Sequence, residues 1–313
     1  MTTAMTTAAA PAPTSPAGQA TLNESDLSFV AKLGAYTHLR HSDAILVRSR
    51  RGHGADEFTL TVHWPATGGP GPYDPRLLAQ TVRQTGLAIA HAEYGVPTTH
   101  QTLLRALDIT VEPGLRAVEG SEFEVDVTVA RTAGRSRNSL AMGFAIRRGG
   151  VLVGRADTQF DWVSPVAYQR VRGQYLTVDW GRWPLPRPIA AHLVDRDDDI
   201  DVLLAAGDGD HQWQLRNDVS NTLLFDHPVD HVPGLVLLEA AWQAAQAYAA
   251  PATFELTDIA MTYERYAEFG EPCWIEAQPL PAAAPGRVTV EVTGHQGGQQ
   301  AFRARLSGLR HHP

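Results

Sequence analysis

Residues 223–250 read LLFDHPVDHVPGLVLLEAAWQAAQAYAA, a polar entry, a Pro-Gly turn and then an apolar run. The run 235–250 is too long for a strand, and its near-uniform apolar character predicts a buried helix. Strand-like segments follow at 254–262, 273–278, 288–292 and 301–306. One apolar helix followed by antiparallel strands makes an α+β unit in which a sheet wraps a central helix.

The same order occurs upstream. Phe58, Leu60, Val62 and Trp64 alternate with polar residues, the loop ATGGPGPYDP spans 66–75, and a second apolar run at 75–94 reads as helix. Phe123, Val125, Val127 and Val129 alternate with Glu122, Glu124, Asp126 and Thr128, and segments 142–146 and 151–160 flank Arg148-Gly149-Gly150 as a hairpin. Two such units in tandem predict a double hotdog, an internal pseudo-dimer whose helices face each other. The expected divisions are a disordered tail at 1–22, a first repeat at 23–184, a linker at 185–211 and a second repeat at 212–313. The linker holds the acidic run Asp195 to Asp201, read as a solvated connector.

Composition removes several kinds of function. The 313 residues are 43% hydrophobic and 8% aromatic, which supports a large core. A net charge of -8 argues against nucleic acid, and no stretch has the length of a membrane helix, so a cytoplasmic protein is expected. Cys273 is the single cysteine, so no disulfide framework or thiolate metal cluster is available, and no metal is expected. Lys32 is the single lysine, which disfavours Schiff-base chemistry. Glycine-rich phosphate loops, HExxH and GxSxG are missing from the sequence.

Polar residues break the two apolar helices in a matched way. Glu239, Trp242, Gln243 and Gln246 share one face of the second, and Gln80, Arg83 and Gln84 share one face of the first. Placing Gln80 on Glu239 places Gln84 on Gln243. A carboxylate on a buried helix needs a partner. The residues therefore pin the halves together or line a polar pocket at the seam, with Glu239 as acid or base and Arg83 in reach across it. Just before the second helix lie Asp226, His227, Asp230 and His231, then Pro233 and Gly234. Gly234 opens a helix whose free N–H groups can hold a carbonyl oxygen, and His227 and His231 are candidate acid/base groups beside it.

The segment 223–245, LLFDHPVDHVPGLVLLEAAWQAA, resembles the most characteristic stretch of the A-factor biosynthesis (AfsA-type) hotdog family, DHPxDHVPGMxLLEAxRQ. Weaker matches lie at 36–47, at His63-Trp64-Pro65, at 74–78, and at Arg196 with 201–204. The resemblance implies an acyltransferase that moves a β-ketoacyl group from an acyl carrier protein thioester to a hydroxyl of glycerone phosphate or a related acceptor. The ester then closes to a butenolide-type precursor. It implies catalytic Glu239, His231 and His227, and substrate-binding Arg83, Gln80, Gln84, Gln243, Trp242, Gly234 and Asp226. No cofactor is expected beyond the phosphopantetheine arm of the carrier. The family carries Glu-x-x-Arg-Gln in both helices, whereas this chain has Gln80 in place of the first carboxylate and Trp242 in place of the second arginine.

Expected partners are an acyl carrier protein or acyl-CoA thioester and a small phosphorylated or hydroxylated acceptor, without nucleic acid or membrane. The assembly is expected to be a monomer with an internal pseudo-dimer, or a homodimer. An acidic carrier calls for basic docking residues, with Arg131, Arg135 and Arg137, or Arg170 with Arg172, as candidates. Competing readings are a hotdog dehydratase, a thioesterase and a non-catalytic binding module.

Overall fold

The computed structural model describes residues 24–65, 73–116, 120–130, 138–282 and 284–311. The tail at 1–22, most of the loop at 66–75 and the candidate docking residues Arg131, Arg135 and Arg137 lie outside them.

The first half contains helices α1 (Glu24–Ala31), α2 (Leu33–Thr37) and α3 (Pro75–Glu93), with strands β1 (Val47–Gly52), β2 (Glu57–His63), β3 (Gln101–Val111), β4 (Glu122–Ala130), β5 (Ser139–Arg148) and β6 (Val151–Val163). Helix α4 (Pro165–Arg172) opens the crossing segment. The second half contains β7 (Leu204–Ala206), β8 (Gln212–Leu215), α5 (Gly234–Ala249), β9 (Thr253–Tyr263), β10 (Cys273–Leu280), β11 (Arg287–Gln296) and β12 (Gln299–His311).

Alternation decides which faces go inward. Phe58, Leu60 and Val62 of β2 and Phe123, Val125, Val127 and Val129 of β4 are all buried, while their neighbours face outward. Gly149 and Gly150 both take positive φ (56° and 78°), which lets a two-residue turn join β5 to β6. Asp74 caps α3 by accepting from the Arg76 N–H, and Pro75 fills the first turn.

Among the described residues the strands join one 12-stranded antiparallel sheet, ordered β1-β2-β4-β5-β6-β3-β9-β12-β11-β10-β8-β7. The two halves meet where β3 pairs with β9, from Ala106 opposite Thr262 to Thr110 opposite Asp258. Each half-sheet curls around its own helix, and α3 packs against α5. Tyr73 ties the halves again by donating from its hydroxyl to the Leu256 carbonyl at 3.0 Å. The tandem double hotdog expected from the sequence is therefore present. Strand β7 lies inside the passage read as linker and forms the outer edge of the second half-sheet.

Candidate active site

The two buried glutamines show how the halves match. On α3, Gln84 Oε1 accepts from the Leu46 N–H at 2.7 Å and its Nε2 donates to the Ala44 carbonyl at 2.9 Å. On α5, Gln243 Oε1 accepts from the Leu203 N–H at 2.8 Å and its Nε2 donates to the Asp201 carbonyl at 2.7 Å. Each side chain holds a 3-10 turn, Ser42–Ala44 or Asp199–Asp201, that leads into the edge of its half-sheet. A buried amide satisfied at both ends is a rigid anchor.

One turn away the symmetry breaks. Glu239 is fully buried, and its Oε1 accepts from Arg196 Nη2 at 2.7 Å, from Arg196 Nε at 3.1 Å and from Gln243 Nε2 at 2.7 Å. The Arg196 guanidinium lies 4.3 Å over the Trp242 ring. The partner of Glu239 is thus Arg196, not Arg83 as the helix spacing suggested. The reason is reach: the segment before β7 folds back over α5 and brings Arg196 to the carboxylate. Glu239 Oε2 and Trp242 Nε1 have no hydrogen-bond partner among the described residues.

A cavity of about 1460 Å³ is lined by residues of α3, of the first turn of α5 and of the loop before it. Gln80, Arg83, Asp226, His227, His231 and Gly234 line it, whereas Glu239, Trp242, Gln84 and Gln243 do not. Six of the ten residues expected at the site therefore share one space. The other four belong to the packing that supports it.

Two Asp-His pairs sit on the loop before α5. His231 Nδ1 bonds Asp230 Oδ1 at 2.7 Å, and His227 Nδ1 bonds Asp226 Oδ2 at 2.8 Å. A carboxylate only accepts, so it fixes the proton of each ring on Nδ1 and leaves Nε2 for other contacts. Asp226 also accepts from the Arg40 and His41 N–H groups, at 2.8 and 3.2 Å, joining this loop to the first half.

Asp230 is more heavily braced. The Tyr168 hydroxyl donates to it at 2.7 Å, and Arg172 donates from Nε at 3.0 Å and from Nη2 to its carbonyl at 2.6 Å. Burial alone would raise the Asp230 carboxyl, but the bonds from His231, Tyr168 and Arg172 outweigh it and hold it at about 2. The folded value lies below the ordinary 3.8, so this group stabilises the fold above that value. Its contribution disappears as pH falls through about 4 towards 2. Thermal midpoints recorded across that window should fall in the native chain and fall less in Asp230→Asn, measured from its own lower baseline.

Arg172 is 2% exposed and also pairs with Glu268 at 2.7 Å, so it cannot serve as a docking residue. Arg170 on the same helix is exposed. Tyr266 packs edge-on against His231 at 4.6 Å and under Arg172 at 4.3 Å, completing the wall behind the Asp230-His231 pair.

Arg83 on α3 lines the same cavity. Its Nη1 donates to the Thr37 carbonyl at 3.1 Å, and no ion pair engages it among the described residues. Burial draws its guanidinium down to about 10, with the Asp226 charge opposing, so it stays cationic at neutral pH. Beside it lies a residue that the sequence did not single out. His38 takes a left-handed backbone (φ 56°) at the end of α2 and bonds His91 through Nε2 at 2.9 Å.

The start of α5 completes the site. Pro233 holds the cap position without a side-chain cap, so the first N–H groups, at Gly234 and Leu235, have no acceptor within the helix, and both residues line the cavity. Tyr263 donates to the Gly234 carbonyl at 3.0 Å, and a Cβ at Gly234 would stand 3.2 Å from the Tyr263 ring. Cys273 is buried, and burial pushes its thiol up to about 12, which removes it as a nucleophile.

Solved structures of the same architecture include a putative oleoyl thioesterase from Lactobacillus plantarum (TM-score 0.55, 13% identity, covering 82% of this chain and 97% of that one). The 12:0-ACP thioesterase from Umbellularia californica is similar too (TM-score 0.53, 13% identity, 80% and 94% covered). At that identity they show the fold alone. Among curated proteins, the chain is 41% identical to a 2-oxo-3-(phosphooxy)propyl 3-oxoalkanoate synthase of Streptomyces virginiae, over 82% of this chain and 89% of that protein. It is 39% identical to one of Streptomyces coelicolor (strain ATCC BAA-471 / A3(2) / M145), over 82% and 84%. The model of the A-factor biosynthesis hotdog domain (AfsA) matches residues 25–164 and 181–308, and on these matches the chain belongs to that family.

Proposed function

We propose that the chain transfers a 3-oxoacyl group from a thioester to the hydroxyl of glycerone phosphate, and that the cavity at the seam is where it does so. The observation that carries this reading is the meeting of three groups in one space: an Asp-braced histidine, an uncapped helix start and an arginine that makes no ion pair among the described residues. The family relatives are named for the ester this reaction makes.

The thioester carbonyl oxygen takes the N–H groups at Gly234 and Leu235, where a well-placed donor is worth about 3 kcal/mol in the transition state. His231 Nε2 accepts the proton as the acceptor hydroxyl attacks, with Asp230 stabilising the imidazolium. The tetrahedral intermediate collapses, the C–S bond breaks, and the thiolate recovers the proton as free thiol. The acidic carbon between the two carbonyls of the ester then attacks the acceptor's ketone, and loss of water gives the butenolide. Apolar residues of the cavity wall, among them Leu103, Leu107 and Phe160, provide space for the acyl chain. Arg83 holds the phosphate in a planar fork.

Glu239 belongs in this reading to the support of the site and not to its chemistry, because it is paired and lies off the cavity wall. A carrier protein delivers the acyl group on its phosphopantetheine arm, and the reaction belongs to the cytoplasm. No helix among the described residues is long and apolar enough to cross a membrane.

The test offers a 3-oxoacyl thioester with and without glycerone phosphate and identifies products by mass. Phosphorylated ester or butenolide made only with the acceptor supports transfer, and free acid at the same rate in both rejects it in favour of hydrolysis. Arg83→Gln should raise KM for glycerone phosphate by about two orders of magnitude, as expected for loss of a buried charge-assisted contact of a few kcal/mol.

A further inference from the structure

His38 is held in a defined tautomer by a chain of bonds that ends at the backbone. His91 Nδ1 lies 2.6 Å from the Val96 carbonyl oxygen, which only accepts, so Nδ1 of His91 carries hydrogen. In the neutral ring His91 Nε2 is then an acceptor, and the 2.9 Å contact with His38 is a bond donated by His38 Nε2. That leaves His38 Nδ1 as the nitrogen free to gain or lose a proton. The His38 side chain lines the same cavity as Arg83 and His227.

Of the groups around His38, Arg83 is the permanent cation whose charge acts on it. From α3 come Arg83 and His91, from the loop before α5 come Asp226 and His227, and the segment of His38 itself adds Arg40, His41 and Asp43. Asp226 is engaged by two backbone N–H groups and by His227. Burial, and after it His91, Arg83 and His227, hold His38 down at about 4, so its ring is neutral at neutral pH. An anion beside Arg83 reverses that field.

We propose that Arg83 and His38 together form a dianion site, and that His38 gains a proton on Nδ1 as the dianion arrives. This rests on the reading that the acceptor carries phosphate. One cation is already present and the second is made by the ligand, so a dianion gains both contacts and a neutral polyol gains neither. The bond to His91 survives, because the new proton goes on the opposite nitrogen. The device selects acceptors by charge: the thioester site alone does not distinguish a phosphorylated hydroxyl from any other.

Sulfate is the suitable probe, since it stays a dianion throughout the useful pH range and any proton taken up belongs to the protein. In the full chain with histidines isotopically labelled, saturating sulfate should move the His38 titration upward by about three pH units or more, from about 4 to above neutral. Calorimetry in buffers of different ionisation enthalpy should show proton uptake, and affinity should rise as pH falls from 8 towards 6, by at most about tenfold per unit. His38→Asn, whose new side chain tolerates the left-handed backbone, should abolish the uptake, and Arg83→Gln should weaken sulfate at least tenfold. A His38 titration unmoved at saturating sulfate overturns the proposal, as does uptake that persists in His38→Asn. Sulfate binding with proton uptake in a chain that makes no ester would retain the dianion site and reject the transfer reaction instead.

Discussion

His231→Gln should lower kcat for acyl transfer by about 10²- to 10⁴-fold, the range for loss of a positioned general base. The expectation follows from bracing. Asp230 fixes the ring proton on Nδ1, Tyr168 and Arg172 fix Asp230, and Glu268 fixes Arg172. A ring held this firmly presents Nε2 in one direction, and the helix start proposed to receive the thioester oxygen follows three residues later. Gln fills similar volume and keeps a hydrogen-bond donor for Asp230, so folding should change little. Initial rates of thiol release with glycerone phosphate give the effect on turnover, and a thermal midpoint confirms the fold. A variant that keeps native kcat would remove His231 from the chemistry and leave His227, the other carboxylate-paired ring of the cavity, as the base to test. Asp230→Asn is a poorer probe, since it also cuts the ties to Tyr168 and Arg172.

Glu239→Ala should cost about 3–5 kcal/mol of stability, the usual result of removing one member of a buried ion pair. Set against the 5–15 kcal/mol that typically separates folded from unfolded chains, this is a large fraction. Arg196 is 9% exposed at its side chain and has no other carboxylate within ion-pair distance among the described residues, so its one ion pair would be lost over the Trp242 ring, with Asp74 acting on it only from further away. Gln243 would lose one of its bonds as well. Denaturant unfolding measures the loss, and kcat per folded molecule should stay within about twofold because the pair lies off the cavity wall. Glu239→Gln separates the two roles. Full stability with turnover abolished would make the carboxylate catalytic and overturn its assignment to support.

Much of the fold could be read from periodicity. Strands β2 and β4 alternate cleanly, and helices α3 and α5 differ from them by length and uniform apolarity. Strand β3 escaped because a register shift between Leu104 and Ala106 breaks its alternation, so only Leu107, Ile109 and Val111 keep the period of two. That strand makes the seam, and without it the joining of the halves into one sheet had no visible basis. The loop before α5 announced its histidines because they stand in one dense string. His38 gave no such signal, since its partner His91 is 53 residues away and its special backbone follows from packing. The acidic run at 195–201 is exposed at Asp195, Asp197, Asp198 and Asp199, as a solvated connector would be, but not throughout. Asp201 bonds Arg76 and Asn221, and Arg196 within the run neutralises Glu239, so part of a stretch that looks solvated is folded against the core.

Carrying both halves on one chain has a consequence for the two helix faces. In an assembly of identical subunits every position must serve twice, and a change that opens one cleft opens its twin. Here α3 turns Arg83 to the cavity while α5, at the matching turn, packs Trp242 under the Arg196 guanidinium. One flank is released to do chemistry because the other is released from having to.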